Sequence, residues 1–279
     1  MAELIAHERV QIEIDRYLSA PTHALIINGA PGIGKASLAQ LLANTLVTQA
    51  SYRHYITPVD GKAIPIEAIR KLEHFLALKV PGTSTTDRAI VIENADTMTG
   101  EAQNALLKNL EEPPAGTIML LTASNRQALL PTIRSRAQQL AVIPPSKRQL
   151  MGYFGGQGDH SQAIERAYTM TGGLPGLMTA LLKDEDHPLV AAVVTARQLL
   201  QGSPYERLLE VDSLAKQPAL VSDTLFILRQ MADVSLSNAT GLASKRWQQV
   251  LQASYSAAES LQAKGQPRLV LTNLMLNLA

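Results

Sequence analysis

Residues 23–47 read HALIINGAPGIGKASLAQLLANTLV, and this stretch decides the fold. Its first six residues form a short apolar run, as in a strand buried on both faces. A glycine-rich turn follows, and then residues 35–47 carry a helical pattern. Strand, glycine turn and helix in that order are the context a phosphate-binding loop requires. The pattern G-x-x-x-x-G-K-[ST] is met at Gly29, Gly34 and Lys35, with Gly32 between them, and fails at Ala36. The glycines let backbone N–H groups turn toward phosphate oxygens, and Lys35 would supply a charge for the β- and γ-phosphates. A hydroxyl after the lysine would ligate Mg²⁺. Ser37 is the nearest one, but it sits about 100° further round the helix and cannot simply substitute. Gly29, Gly32, Gly34, Lys35 and Ser37 are thus the candidate residues of a relic phosphate loop.

Working outward, residues 88–93 form a second buried strand that ends in Glu93-Asn94. A strand-terminal Asp would normally hold the metal, and the residue after it would activate water. Glu93 is one methylene longer, and Mg²⁺ tolerates little error around its short octahedral distances. Asn94 is an amide and cannot act as a general base, a loss worth on the order of 10²–10⁴-fold. Ala36, Glu93 and Asn94 all point toward weak or absent hydrolysis.

Strands alternating with helices predict an α/β domain with a parallel sheet over residues 1–145. Its expected elements are helices at 3–19, 35–47, 66–78 and from a Thr99 cap to 111. Strands are expected at 23–28, 88–93 and 117–124, with a short helix and strand before Pro144-Pro145. Beyond Pro145 strand signals stop. Residues 146–186 read as a small helical unit, and residues 187–279 as a further domain of four or five helices. The last of these is apolar nearly all round, as for a helix buried on more than one face.

The bulk numbers fit this reading. The 279 residues are 46% hydrophobic and 18% charged, with a net charge of +1, which argues against a stand-alone nucleic-acid binder. Cysteine is absent, which removes any thiolate zinc site and fits a cytoplasmic chain. The charged, amphipathic start is unlike a signal peptide, and no apolar run is long enough to predict a membrane span.

Residues 89–114, AIVIENADTMTGEAQNALLKNLEEPP, resemble the clamp-loader branch of the AAA+ ATPases. In that family the strand runs into AD-x-MT-x-x-AQNALLK-x-LEEPP. PTIRSRAQ at 131–138 is similar to the family's T-[IL]-x-SRC element, and IPIEAIRKL at 64–72 to its I-x-V-D-x-IR-x-L helix. GGLPGLMTALL at 172–182 resembles the start of the lid helix, and PRLVLTNLMLNLA at 267–279 the last collar helix. The resemblance therefore spans the chain, and within the family it is nearest to an ATPase-impaired subunit of the bacterial DNA polymerase III complex.

It implies a RecA-like AAA+ domain with a parallel sheet, then a small helical lid and an all-α collar used for oligomerisation. It implies that Arg136 is an arginine finger reaching the ATP of an adjacent subunit, with Arg134 a nearby alternative. Ser124 and Asn125 fall at the sensor-1 position, where a plain polar turn is the competing reading. Pro175 stands where active motors carry the sensor-2 arginine. His54 lies where relatives often insert a four-cysteine zinc module, so no zinc is expected and no metal site is assigned. Ala137 replaces the cysteine of SRC, which the arginine's role does not need.

The expected function is an ATPase-deficient subunit that completes a five-membered ring and helps load the sliding clamp on primed DNA. It would need no cofactor, and would bind ATP or ADP weakly at most. Its partners would be the motor ATPase subunits, the delta subunit, the clamp and primed DNA, with no membrane involved. The alternative is a motor subunit of the same complex that hydrolyses ATP.

Overall fold

The computed structural model describes residues 5–58, 63–77, 86–155, 161–183, 187, 189–237 and 239–278. The chain forms two compact units, Met1–Pro145 and Ser146–Ala279. Among the described residues no helix is long and apolar enough to cross a membrane.

The first unit runs α1 (Glu8–Ser19), β1 (Ala24–Asn28), α2 (Lys35–Leu46), β2 (Arg53–Ile56), α3 (Ile66–Ala77), β3 (Arg88–Ile92), α4 (Gly100–Glu111), β4 (Thr117–Ala123), α5 (Pro131–Arg136) and β5 (Gln138–Ala141). The five strands are parallel, in the order β2-β3-β4-β1-β5. Successive strand side chains point to opposite faces, so the unbroken apolar runs load both. Ala24 and Ile26 join Ile90, Ile92, Met119 and Leu121 on one face, packed against α3, α4 and α5. Leu25 and Ile27 join Val91, Leu120 and Leu140 on the other, under α1 and α2.

Two expectations need correction here. α1 starts at Glu8, because His7 is extended and its ring accepts a hydrogen bond from the Arg9 N–H, capping the helix. Residues 3 and 4 of the expected helix lie outside the described residues, and α1 buries Val10, Ile14 and Tyr17. The strand β2 was not expected. It lies at the sheet edge with only Ile56 buried, so it carries no alternating pattern. The expected helix at 66–78 is seen to Ala77, and residue 78 lies outside the described residues.

The second unit comprises α6 (Lys147–Gly155), α7 (Ser161–Thr171), α8 (Pro175–Lys183), α9 (Val190–Gln201), α10 (Pro204–Leu209), α11 (Val211–Leu214), α12 (Pro218–Leu236), α13 (Gly241–Gln262) and α14 (Pro267–Asn277). Six of these described helices lie beyond residue 187, one more than the sequence suggested, because Ser203 and Glu206 form a capping box that starts the short α10 separately. α12 is the hub and packs against α7, α9 and α13. α14 buries Leu271, Leu274 and Met275, while Leu269 and Leu276 are exposed, so its apolar surface is covered on one side within the unit.

α7 ends in Gly172 and Gly173, both left-handed, with the Gly173 N–H donating to Tyr168 O at 3.0 Å. Gly172 also lies flat on α12. A Cβ there would sit 2.4 Å from Gln230 Cβ and 3.0 Å from its carbonyl carbon. Gly172→Ala should therefore cost both backbone strain and overpacking, about 2–4 kcal/mol by urea unfolding. Gly241→Ala, at φ +61° with open space around it, should cost only the strain, about 1–2 kcal/mol. Equal losses at both positions would mean the α7–α12 contact carries no packing constraint.

Candidate functional site

The loop between β1 and α2 is built by its glycines. Gly29 extends the β1–β4 pairing through an N–H donated to Ala123 O, and a Cβ there would meet Val142 O at 2.7 Å. Gly32 (φ +71°) and Gly34 (φ +96°) are left-handed, a region that disfavours other residues. Ile33 between them is buried and pins the loop from beneath.

Lys35 opens α2 and is only 6% exposed. Its ammonium donates to Gly29 O at 2.9 Å, Ala30 O at 2.8 Å and Ser124 Oγ at 3.0 Å. An ammonium has three N–H donors, so all are engaged within the chain. Burial pulls its pKa down from 10.5 to about 8, and the nearby Asp96 charge opposes that pull. Ala36 brings no hydroxyl, and Ser37 is exposed.

The strand end is equally specific. Glu93 Oε1 accepts from Gln40 Nε2 of α2 at 3.1 Å. Asn94 is left-handed, at φ +49° and ψ +49°, which asparagine tolerates better than glutamate. Its N–H donates to Thr122 Oγ1, and its side chain is exposed. Asp96 then reaches the end of β4, where its Oδ2 accepts from the N–H groups of Ser124 (3.0 Å) and Asn125 (2.7 Å). The Asn125 side chain is used locally, accepting from Gln127 N–H. Of the two sensor-1 candidates, Ser124 is therefore the one in contact with Lys35.

The structure thus gathers Gly29, Lys35, Asp96 and Ser124 into one hydrogen-bonded set. Glu93 and Asn94 lie beside it. Arg136 lies elsewhere, at the end of α5, with Nη2 2.7 Å from Glu111 Oε1 and Nη1 donating to Thr132 O at 3.1 Å. Arg134, two residues earlier, keeps its Nε sealed from solvent without a hydrogen-bond partner. Pro175 occupies the first turn of α8 and is buried. His54 is stacked on Phe75 with ring centroids 4.9 Å apart, and burial lowers its pKa.

Sequence reading missed two residues. One is Asp96. The other is Gln103, a buried amide that donates to Met98 O and Ala128 O and accepts from the Leu130 N–H. Gln103 joins the front of α4 to the turn leading into α5. Both stand at letters of the family pattern, the D of AD-x-MT and the Q of AQNALLK, but a pattern letter does not say which backbone groups a side chain holds.

The donor set fits a magnesium nucleotide poorly: a metal ligand is missing at Ala36, and phosphates would have to displace Ser124 from Lys35. Because the folded chain holds Lys35 closer to neutrality, the unfolded chain binds more protons between about pH 8 and 10.5. The site's contribution to stability is therefore penalised below pH 8 and rises through that window. Relative to Lys35→Met, the wild type should gain on the order of 3 kcal/mol between those limits. A pH-independent difference between the two would show that the ammonium is not desolvated in this way.

Residues 50–146 match a family model described as "DNA polymerase III, delta subunit". Over 189 residues the chain is 29% identical to the Escherichia coli DNA polymerase III subunit delta', covering 59% of this chain and 55% of that one. The Pseudomonas aeruginosa delta' subunit is 32% identical over 178 residues, 55% of this chain and 53% of its own. A replication factor C small subunit of Methanococcus maripaludis is 25% identical over 153 residues, 54% of this chain and 48% of its own. The chain spans about half the length of the relatives it matches. Among solved structures, the Thermotoga maritima RuvB Holliday junction branch migration motor superposes with a TM-score of 0.52 at 14% identity, over 93% of this chain and 82% of that one. This likeness concerns the fold alone. The fold is the one expected from the sequence, a parallel α/β domain followed by helices.

Proposed function

We propose that this chain, a relative of the delta' subunits of DNA polymerase III, is a clamp-loader subunit that serves a neighbour's ATP rather than its own. It completes a ring with the motor ATPase subunits and the delta subunit in the cytoplasm. It supplies Arg136 to an adjacent ATP site and helps place the sliding clamp on primed DNA. Residues 1–145 carry the finger, 146–186 form the lid and 187–279 the collar.

The observation that carries this reading is the condition of its own phosphate loop. Lys35 spends its three donors on Gly29, Ala30 and Ser124. The carboxylate of Glu93, at the metal position, accepts from Gln40 instead. Ala36, Asn94 and Pro175 remove the metal hydroxyl, the base and the lid charge. ATP or ADP binds weakly at most, no nucleotide or zinc is needed for the subunit's role, and no hydrolytic step runs through this site. Arg136, by contrast, keeps 36% of its side chain exposed. The alternative, a motor subunit, is favoured only by the preserved glycine geometry around Lys35.

The purified chain should show no ATP turnover above background, with or without primed DNA. In the reconstituted complex, Arg136→Ala should slow hydrolysis at one site by about 10³-fold or more, the usual worth of a finger given in trans. Turnover by the isolated chain at a motor subunit's rate would sink the inactive-site reading. Full activity of the Arg136→Ala complex would sink the finger.

A further inference from the structure

We propose that Glu111 is the positioning residue of Arg136, an inference that rests on the finger reading above. Glu111 is the last residue of α4 and is followed by Glu112, Pro113 and Pro114. A carboxylate at a helix C-terminus faces the negative end of the helix dipole, where it costs about 0.3–1 kcal/mol. Local helix chemistry therefore argues against Glu111. Its pairing with Arg136 does little for stability either. The two side chains are 36% and 48% exposed, and ion pairs so exposed contribute about 0–1 kcal/mol. A residue that its own helix disfavours, in a pair that stabilises little, calls for another account.

Aim supplies it. The Arg136 guanidinium is gripped from two directions, by Glu111 Oε1 on Nη2 and by Thr132 O on Nη1. Two fixed points on a planar fork set both its position and its plane. Of its five N–H donors two are used, which leaves three for a phosphate. The mount is itself fixed. Gln103 ties the front of α4 to Ala128 and Leu130, ahead of α5. The Arg136–Glu111 pair ties the two helices together again eight residues on, about 12 Å further along α4. The guanidinium is thus presented from a braced pair of helices.

The test is a double-mutant cycle in the reconstituted complex, read by single-turnover ATP hydrolysis. Glu111→Ala should move one site's worth of the fast phase to a phase slower by up to about 10²-fold, the scale of a displaced catalytic group. The KM for ATP should be unchanged, because the finger acts in the transition state. On the Arg136→Ala background the same substitution should add nothing. Glu111→Gln, which keeps an acceptor at the same place, should recover most of the rate. The thermal midpoint of the isolated Glu111→Ala chain should stay within about 2 °C of wild type, as for loss of an exposed pair. If Arg136→Ala slows the complex while Glu111→Ala leaves it unchanged, Glu111 does not aim the finger. An equal loss with and without Arg136 would also overturn the proposal, by showing that Glu111 acts through something else. If Arg136→Ala has no effect, the finger reading itself fails and this one falls with it.

Discussion

An ammonium group has three protons to give, and Lys35 gives all three to its own chain. Two go to the carbonyls of the loop it closes, and the third crosses to Ser124 at the end of β4. Asp96 extends the tie by holding the N–H groups of Ser124 and Asn125 from the turn after β3. The carboxyl ends of β1, β4 and β3 are thereby drawn together by side chains as well as by the sheet ladder. The crevice outside such strand ends is where open parallel sheets usually bind ligands. Here much of its hydrogen-bonding capacity is turned inward, in a setting where a desolvated charge is costly unless fully partnered.

The parts legible in the sequence were those whose causes are local. Residues 23–35 carry their own explanation, since an unbroken apolar run suits a strand covered on both faces and the glycine spacing suits a tight turn. The Thr99 cap and the stop at Pro113 bracket α4 in the same way. β2 was invisible because Arg53, His54 and Tyr55 become a strand only by pairing with β3, more than thirty residues away. The site divides along the same line. Lys35, Glu93, Asn94 and Ser124 are announced by motif positions. Asp96 and Gln103 stand at pattern letters too, but the backbone groups they hold lie 28 and 27 residues away, which no spacing rule reports. The proposed roles of Arg136 and Glu111 concern other chains, whereas the structure holds the two side chains to one another.

Arginines recur in this protein as caps for helix ends. Arg88 is buried at the start of β3 and donates to Phe75 O and Leu76 O in the last turn of α3. Arg207 donates to Leu199 O near the end of α9, and Arg246 donates to Leu200 O beside it. Helix C-termini offer unpaired carbonyls and partial negative charge, so a guanidinium there is both hydrogen-bonded and electrostatically matched. That match offsets part of the cost of burial, which lowers the pKa of both Arg88 and Arg207.

Arg207 has a second partner, the carbonyl of Leu278, 71 residues further along the chain. One side chain thus serves the end of α9 and the residue that caps α14. During synthesis the two units meet different schedules. The α/β unit possesses all five strands once residue 141 has emerged, and its core can close while the remainder is still being made. The helical unit has an arginine in place by residue 207 whose second acceptor comes seventy-one residues later. That bond can close only once α14 has been made and has docked, so it belongs to the late contacts of the second unit.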